Sequence, residues 1–394
     1  MACFDAVVAG HTCLDIIPTL SGPPPAGPGL LVEIGPAELA TGGAVANTGV
    51  ALHILGIRTR LMGKVSDDLF GQALLQVIGR YSAELVQDMV LARGEASSYT
   101  IVIDPPGLDR SFMHCPGLNH TFGAADVDYE VVAQARLFHF GYPSLMRRMY
   151  ADGGHELSEM LHRAQATGAT TSLDFGPPDP QGPCGQVDWE AVLARTLPHV
   201  DVFLPSDDEL RFALDRPRFD ADGEVPVPEV RALGRRVLAL GAKVVGIKCG
   251  VRGLYVCTAN ADHLAAMGRA APADPSAWAE RELWSPCFVP CELVGTTGAG
   301  DATIAGFLAA LLRGLSLEEA ATFACAVGAC NVEASDAVSG LRSWEATWER
   351  CDGWARMSFE PEGDDWRLDA ASGLWMGGCD EELDWLILNH LMGK

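Results

Sequence analysis

Short apolar runs alternate with longer amphipathic segments along most of this chain of 394 residues. The apolar runs predict strands at about 4–10, 59–65, 136–142, 170–176, 200–206 and 243–250. Apolar residues at helical spacing predict helices between them, over about 44–55, 69–81, 154–166, 188–197 and 229–240. Strands that alternate with helices in this way are typical of βαβ units. The pattern therefore predicts an α/β fold with a doubly wound, mainly parallel sheet flanked by helices, which binds ligands beyond the carboxyl ends of its strands.

Two segments interrupt this alternation, and each predicts a pair of strands with no helix between them. Within 14–40, the Pro- and Gly-rich loop SGPPPAGPG separates LDIIPTL from LLVEIG. Within 97–115, the turn PPGLD separates SSYTIVI from DRSFMHC. Such pairs are typical of hairpins. We expect the two pairs to form a small β sheet that covers one end of the main sheet as a lid.

Composition divides the chain into one domain over 1–350 and a tail over 351–394. The segment at about 258–290 is rich in Ala, Pro and charged residues and is interpreted as an insertion in that domain. The tail carries two acidic clusters and four tryptophans, Trp354, Trp366, Trp375 and Trp385. Because exposed tryptophan is costly, we expect the tail to pack on the body or on another subunit.

The charge balance excludes several classes of partner. Asp and Glu total 52 against 28 Lys and Arg, which gives a formal net charge of −24. A surface this acidic repels a phosphate backbone, and no Lys/Arg cluster offers a local exception. We therefore expect neither nucleic acid nor an anionic membrane as a partner. An anionic substrate still fits where a metal ion or backbone N–H groups offset the negative field.

The first residues and the cysteines favour a cytoplasmic location. The start, MACFDAVVAGHTC, lacks the basic region and the long apolar stretch of a secretory signal. No apolar run approaches the roughly 18 residues that predict a membrane-spanning helix. The 12 Cys are irregularly spaced, without the paired CxxC pattern of a zinc site. We expect reduced thiols in a cytoplasmic protein.

The segment with the clearest chemistry is Gly295–Asp301, GTTGAGD, which apolar residues at helical spacing follow. The glycines therefore lie at a helix N-terminus, where backbone N–H groups and the helix dipole favour an anion. Asp301 falls in the first turn, beside that anion. A tight turn and a helix-start acid are each common alone, but together they favour an anion site with a functional carboxylate. The sequence contains neither GxxxxGK[ST] nor a GxGxxG after the first strand. These absences argue against a P-loop protein and against a dinucleotide-binding protein.

This segment and others in order along the chain resemble the ribokinase-like (pfkB) family of carbohydrate kinases. TTGAGDATIAGF closely resembles the C-terminal motif of the family, and the similarity spans about residues 4–345. The N-terminal motif has its counterpart in Thr41–Asn47 with Leu55 and Gly56, and in Gly63–Gly71. Asp15 matches the acid that binds sugar hydroxyls, and Gly117–Asn119 resembles an element that follows the lid.

The resemblance implies a kinase that uses ATP and Mg²⁺ to phosphorylate a hydroxyl of a sugar or related polyol. Asp301 would be the general base that removes the proton from this hydroxyl. The anion hole for the transferring phosphoryl group would consist of Gly298, Ala299 and Gly300. The sugar would be held by Asp15, Gly42, Gly43, Asn47 and Asn119.

The resemblance also implies how the nucleotide and metal are held. ATP would contact Lys248, Gly250, Gly253, Thr296, Thr297 and Asn331. Glu209 matches an acid that organises hydrated Mg²⁺, although Ser206 replaces the Asn usual in that motif. Gly295 stands where many members have an Asp linked to an activating monovalent cation, which makes K⁺ dependence doubtful. Lids of the family often pair between subunits, which leaves room for a homodimer.

Two other functions stay open at this point. A nucleoside kinase of the same fold would need an apolar or aromatic slot for a base, for which Tyr99, Phe112 and Tyr142 are candidates. The second alternative is a catalytically inert member of the family that acts as a binding or scaffold protein. It is motivated by the departures from the family pattern at Gly295, Ser206 and Gly176 and by the Trp-rich tail. The intact Asp301 and glycines argue against the inert protein.

Isolated histidines and acids have simpler interpretations. His11, His114 and His139 show neither metal-ligand spacing nor a partner in the sequence, so each is interpreted as a structural histidine. Asp67 and Asp68 are interpreted as a solvated helix start.

Overall fold

The computed structural model describes residues 3–23, 25, 27–106, 110–216, 219 and 223–378. The strands are β1 Ala6–Gly10, β2 Cys13–Pro18, β3 Ala37–Gly42, β4 Thr59–Met62, β5 Lys64–Ser66, β6 Val90–Ala92, β7 Tyr99–Ile103, β8 Ser111–Cys115, β9 Leu137–Gly141, β10 Thr170–Leu173, β11 Val202–Phe203, β12 Val244–Lys248, β13 Leu254–Thr258, β14 Glu282–Ser285, β15 Arg367–Asp369 and β16 Leu374–Met376. The α-helices are α1 Ala44–Ile54, α2 Leu69–Gly79, α3 Tyr129–Val132, α4 Arg147–Tyr150, α5 His155–Ala166, α6 Trp189–Thr196, α7 Asp207–Leu214, α8 Val227–Ala239, α9 Ala261–Ala265, α10 Pro275–Trp278, α11 Ala299–Leu312, α12 Leu317–Asn331 and α13 Trp344–Cys351.

A large sheet forms the centre of the molecule, with strand order β15-β16-β14-β13-β12-β11-β10-β9-β1-β4. Strands β4, β1, β9, β10, β11 and β12 pair in parallel with their neighbours. At the other side of the sheet, β13, β14, β16 and β15 pair antiparallel, beginning with the pairing of β12 with β13. Alternate residues of β1 enter separate apolar clusters, Ala6 and Val8 on one face and Val7 and Ala9 on the other. Helices α1, α11 and α12 cover the first face, and α5, α6 and α8 cover the second. The expected doubly wound α/β fold is confirmed.

A second sheet forms the lid, with strand order β3-β2-β7-β8. The two predicted strand pairs join through a parallel pairing of β2 with β7. The prediction of LLVEIG as a strand is wrong, because β2 pairs with Ala37–Gly42 instead, with Cys13 opposite Gly42. The LLVEIG residues have no sheet face to pack against, and Leu31 is 93% exposed.

Several large apolar side chains of the lid are exposed to solvent. They include Leu31, Val32, Ile34, Phe112 and Met113. Exposed apolar groups gathered on one element are typical of an association surface. The homodimer nevertheless stays a prediction.

The main sheet includes residues that the sequence placed outside the domain core. Glu282–Ser285 is a buried strand between β13 and β16, so the interpretation of 258–290 as an insertion is wrong for these residues. Strands β15 and β16 extend the sheet beyond the boundary expected at residue 350.

An ion-pair network centred on Arg231 of α8 links the tail to the sheet. Arg231 donates to both carboxylate oxygens of Glu282 at 2.8 Å and also to Asp365. The ring of Trp366 packs under the same guanidinium. Tail residues 379–394, which include Trp385, lie outside the described residues. None of the helices in the described part of the chain has the length and apolar character needed to cross a lipid bilayer.

Candidate active site

Asp301 lies in the first turn of α11, with only 3% of its surface exposed. Its carboxylate accepts three side-chain hydrogen bonds from two distant segments. Asn47 Nδ2 donates to Oδ2 at 3.0 Å, Thr48 Oγ1 donates to Oδ1 at 3.2 Å, and the Tyr142 hydroxyl donates to Oδ2 at 2.7 Å. The structure thus brings the predicted base together with Asn47, one of the predicted sugar ligands.

Tyr142 reaches Asp301 from the end of β9 through an unusual backbone conformation. Its φ is 62°, in the left-handed region that non-glycine residues rarely adopt. The backbone N–H of Tyr142 donates to Asp174 Oδ1 at 2.7 Å, and Asp174 follows the neighbouring strand β10. Parallel strands β9 and β10 end at the same edge of the sheet, so the two residues meet there. Strained conformations of this kind concentrate at functional sites.

Burial makes the acids of this region more basic than usual. It raises the pKa of Asp301 above its ordinary range, against the lowering effects of the hydrogen bonds from Asn47 and Tyr142 and of the Lys248 charge. Burial likewise raises the pKa values of Asp174 and Glu209, again opposed by Lys248. A carboxylate with a raised pKa takes up a proton more readily, which suits a general base.

The predicted anion hole forms a tight loop at the start of α11. Gly298 has φ 76°, and a Cβ there would lie 2.5 Å from the Cβ of Ala337. The first N–H groups of a helix have no intrahelical acceptor, which suits the N–H of Gly300 to an anion, whereas the N–H of Ala299 donates to the Thr296 carbonyl at 3.2 Å. Asn331 is fully buried, and its Nδ2 donates to the Thr297 carbonyl at 2.8 Å. The structure thus places Asn331 as a support of the loop.

Lys248 ends β12 close to this loop. A Cβ on Gly300 would lie 3.4 Å from Lys248 Cε, and Lys248 Nζ donates to the Leu204 carbonyl at 2.6 Å. The ammonium group therefore stands beside both the anion hole and the buried acids. Glu209 lies in the first turn of α7, where its Oε2 accepts from the backbone N–H of Ser206 at 2.7 Å.

The other predicted nucleotide contacts differ in their surroundings. Gly250 has φ 54° and open space around its α-carbon. Gly253 has φ 104°, and a Cβ there would lie 2.0 Å from the Ser285 carbonyl oxygen. The close approach of β13 to the end of β14 therefore requires a glycine at 253. In the loop before α11, Thr296 is exposed and Thr297 is half-buried.

The predicted sugar ligands lie where the lid meets the body. A Cβ on Gly42 would lie 2.3 Å from Asp15 Oδ1, and a Cβ on Gly43, which has φ 84°, would lie 2.4 Å from His11 Nδ1. Asn47 Oδ1 accepts from Thr41 Oγ1 at 3.3 Å. Burial raises the pKa of Asp15 to about 6, with a smaller contribution from the charge of Asp301. A narrow cavity between lid and loop is lined by Asp15, Thr41, Val102, Arg110, Thr297 and Asp336.

Among the predicted sugar ligands, Asp15 lines this cavity, whereas the Asn119 side chain bonds the backbone instead. The Asn119 side chain is fully buried. Its Oδ1 accepts from the backbone N–H of Thr12 at 3.1 Å, and its Nδ2 donates to the Thr12 carbonyl at 3.0 Å. In this structure Asn119 therefore fixes the turn between β1 and β2.

Sequence reasoning missed several residues of the site. Thr48 follows the recognised Asn47 directly, which was the available signal. Tyr142 and Asp174 lie within the predicted strands 136–142 and 170–176, but nothing in the sequence linked either one to Asp301. Arg110 precedes β8 in the lid, and its Nη1 donates to Thr297 Oγ1. A Cβ on Gly295 would lie 2.6 Å from Arg110 Nη2, so this guanidinium lies where a side chain at 295 would project.

Comparisons with known proteins identify the family and the fold of this chain. Over 292 residues, which are 74% of this chain and 98% of the relative, the chain is 25% identical to an uncharacterised sugar kinase of Archaeoglobus fulgidus. It is 26% identical to a probable chloroplastic fructokinase-6 of Arabidopsis thaliana, over 87% of this chain and 81% of the relative. An Arabidopsis thaliana ribokinase, solved with ribose and ATP, has the same fold with a TM-score of 0.69, at 18% identity over 89% of this chain and 99% of that one. The sequence pattern of the pfkB family carbohydrate kinases matches residues 4–344. The chain belongs to the pfkB family of carbohydrate kinases.

Proposed function

We propose that this protein transfers the γ-phosphoryl group of ATP to a hydroxyl of a sugar or related polyol, with Asp301 as the general base. The observation that carries the proposal is the buried Asp301 carboxylate beside the glycine loop, held by Asn47, Thr48 and Tyr142. The ATP and ribose in the related ribokinase agree with this choice of substrates.

In the proposed reaction, Asp301 takes the proton of the acceptor hydroxyl as its oxygen attacks the γ-phosphorus. A new P–O bond forms to the sugar, and the bond between the γ-phosphorus and the bridging oxygen of ADP breaks. The N–H groups of Gly298, Ala299 and Gly300 offset the charge on the transferring group, and Lys248 adds a cation beside them. Positioning and charge neutralisation supply most of the catalysis in such transfers.

The acids at this edge of the sheet fit Mg²⁺. Hard divalent cations prefer carboxylate oxygens and water as ligands. Glu209 would hold the ion through water, with one oxygen fixed by the Ser206 N–H. When bound, Mg²⁺ neutralises phosphate charge.

The aromatic residues favour a sugar over a nucleoside. The Tyr142 hydroxyl is hydrogen-bonded to Asp301, Phe112 is 58% exposed on the lid, and Tyr99 packs on Phe70 with ring centroids 4.8 Å apart. These three rings therefore do not form one slot for a base. The hydrogen bonds around Asp301 also argue against an inert scaffold, which needs no buried and oriented carboxylate.

The acceptor is tested by ADP release from ATP and Mg²⁺ with fructose, ribose, other hexoses and pentoses, and nucleosides. We expect a sugar to drive release and nucleosides to drive none. Asp15→Asn is expected to raise the KM for that sugar by about 10- to 100-fold, because a hydrogen bond to a charged group contributes about 1.5–3 kcal/mol. Release driven by nucleosides, or by no acceptor in the panel, would contradict the proposal. Asp262→Asn, at an exposed helix start, is the control.

We further propose that activity does not depend on K⁺. A monovalent cation needs oxygen ligands, whereas position 295 has no carboxylate and the Arg110 guanidinium lies beside it. Turnover is expected to be unchanged when tetramethylammonium replaces K⁺ at constant ionic strength. A steep rise of turnover with added K⁺, absent with tetramethylammonium, would overturn this expectation.

A further inference from the structure

Three side chains that commonly bind transition metals face one another where the lid meets the body. His11 lies in the turn after β1, Cys13 begins β2, and His114 lies on β8. Their ligand atoms all lie within 4.8 Å of one another, and the two Nε2 atoms are 3.2 Å apart. The sequence interpretation of these histidines as structural overlooked the cluster, because 103 positions separate them.

The spacing of the two rings fits a tetrahedral site. At a tetrahedral ion, Zn–N bonds of about 2.0–2.1 Å place two nitrogen ligands about 3.3 Å apart. With a Zn–S bond of about 2.3 Å, a nitrogen and a sulfur ligand lie about 3.5 Å apart. The Nε2 separation of 3.2 Å already matches the first value. A ring nitrogen of each histidine lies within 4.8 Å of Cys13 Sγ, so closure of these groups onto one ion shortens each nitrogen–sulfur separation by up to about 1.3 Å.

The surrounding groups orient the ligands as in known metal sites. Thr100 Oγ1 lies 3.0 Å from His114 Nδ1, so a metal-bound His114 would donate its Nδ1–H to Thr100. Asp15 Oδ1 lies 3.3 Å from Cys13 Sγ at the edge of the cluster, and to complete a tetrahedron it would have to move toward the two histidines. The register of the lid aligns Asp15, Thr100 and His114 across three neighbouring strands.

The two ring nitrogens of His11 differ in their surroundings, because Nε2 faces His114 Nε2 at 3.2 Å and an ion bound there would leave Nδ1 without a partner. His11 is 2% exposed, and its Nδ1 has no hydrogen-bond partner among the described residues. Neutral imidazole with thiolate is the ligand chemistry that selects zinc-like metals over Mg²⁺.

We propose that His11, Cys13 and His114 bind a divalent transition metal of the zinc class, with Asp15 as the fourth ligand. The bound ion ties strand β8 of the lid to the turn between β1 and β2. The consequence for catalysis rests on the proposed function, in which Asp15 holds the sugar. The metal and the sugar then compete for the Asp15 carboxylate. Zn²⁺ is therefore an inhibitor that raises the KM for the sugar and leaves kcat unchanged.

The binding itself is tested by Co²⁺ titration of the metal-free full-length chain. We expect one equivalent to give the intense visible bands of tetrahedral Co²⁺ together with a near-ultraviolet thiolate-to-metal band, and Zn²⁺ to displace it. Cys13→Ser is expected to abolish the thiolate band, whereas Cys184→Ser, which removes a buried thiol elsewhere, leaves it intact. Thr100→Val, which removes the partner of His114, is expected to weaken metal binding by about 10- to 100-fold.

The outcomes separate this site from the proposed function. Absence of the thiolate band, or its persistence in Cys13→Ser, would overturn the metal site whether or not the protein phosphorylates a sugar. If Cys13→Ser does not fold, His114→Ala supplies the same comparison from the lid side. Bands that appear as expected in a protein without kinase activity would leave the metal site standing and the proposed function overturned.

Discussion

Replacement of Asp301 with Asn is expected to lower turnover by about 10²- to 10⁴-fold, the usual contribution of a positioned general base. Asn has nearly the same shape as Asp but does not take up a proton at neutral pH. The acceptor hydroxyl then attacks without a base to remove its proton. The measurement is kcat at saturating ATP and sugar, with the KM values followed in parallel.

The same change is expected to leave the fold intact. The Asn oxygen can still accept from Asn47 and Tyr142, its NH₂ group can donate to Thr48 Oγ1, and the substitution removes a charge that burial disfavours. Thermal unfolding is therefore expected at the same or a higher temperature, while Asp262→Asn changes neither unfolding nor kcat. Near-normal kcat in well-folded Asp301→Asn would show that Asp301 is not the base.

The parts of the site that the sequence predicted best are contiguous. GTTGAGD and TGGAVAN each place several residues on one loop and the helix that follows it, so their spacing along the chain is also their spacing in the molecule. The structure brings these two segments together through Asn47 and Asp301. Tyr142 and Asp174 escaped prediction because each is a single residue after a strand, and the relative position of strand ends depends on the whole sheet.

The core α/β elements were also predictable, because α2 and α5 have clear helical periodicity between turn residues and α1 is a continuous, almost entirely buried helix. The predictions of secondary structure were wrong where the local sequence pattern does not match the tertiary surroundings of the segment. LLVEIG has the composition of a strand but lies beside the lid without a partner. Glu282–Ser285 begins with a charged residue, which hides a central strand whose buried carboxylate is neutralised by Arg231.

Asn119 shows a different limit of sequence reasoning. A resemblance to a short motif assigns a residue type to a role but not the direction of its side chain. In this structure the Asn119 amide bonds the Thr12 backbone, which fixes the turn that carries His11 and Cys13. Its effect on the sugar site is therefore indirect.

Gly298→Ala is expected to lower both stability and turnover. An L residue with φ near 76° costs roughly 1–2 kcal/mol, and the new Cβ would lie 2.6 Å from the Ala337 Cα. Because that neighbour is backbone, the loop has to shift, and the N–H groups of the anion hole shift with it. Loss of one well-placed donor of this kind costs about 10²- to 10³-fold in turnover. Chemical unfolding and kcat measure the two effects separately.

Gly314→Ala is the matched control, because Gly314 lies just beyond the other end of α11. Its φ is also 76°, but no atom lies within 4 Å of an added Cβ. Gly314→Ala therefore carries the same backbone cost without the clash, and turnover is expected to stay at the wild-type level. If the two variants lose turnover equally, the loss stems from backbone strain in α11, and the anion hole does not depend on the position of Gly298. A loss confined to Gly298→Ala instead ties phosphoryl transfer to the close contact between this loop and Ala337.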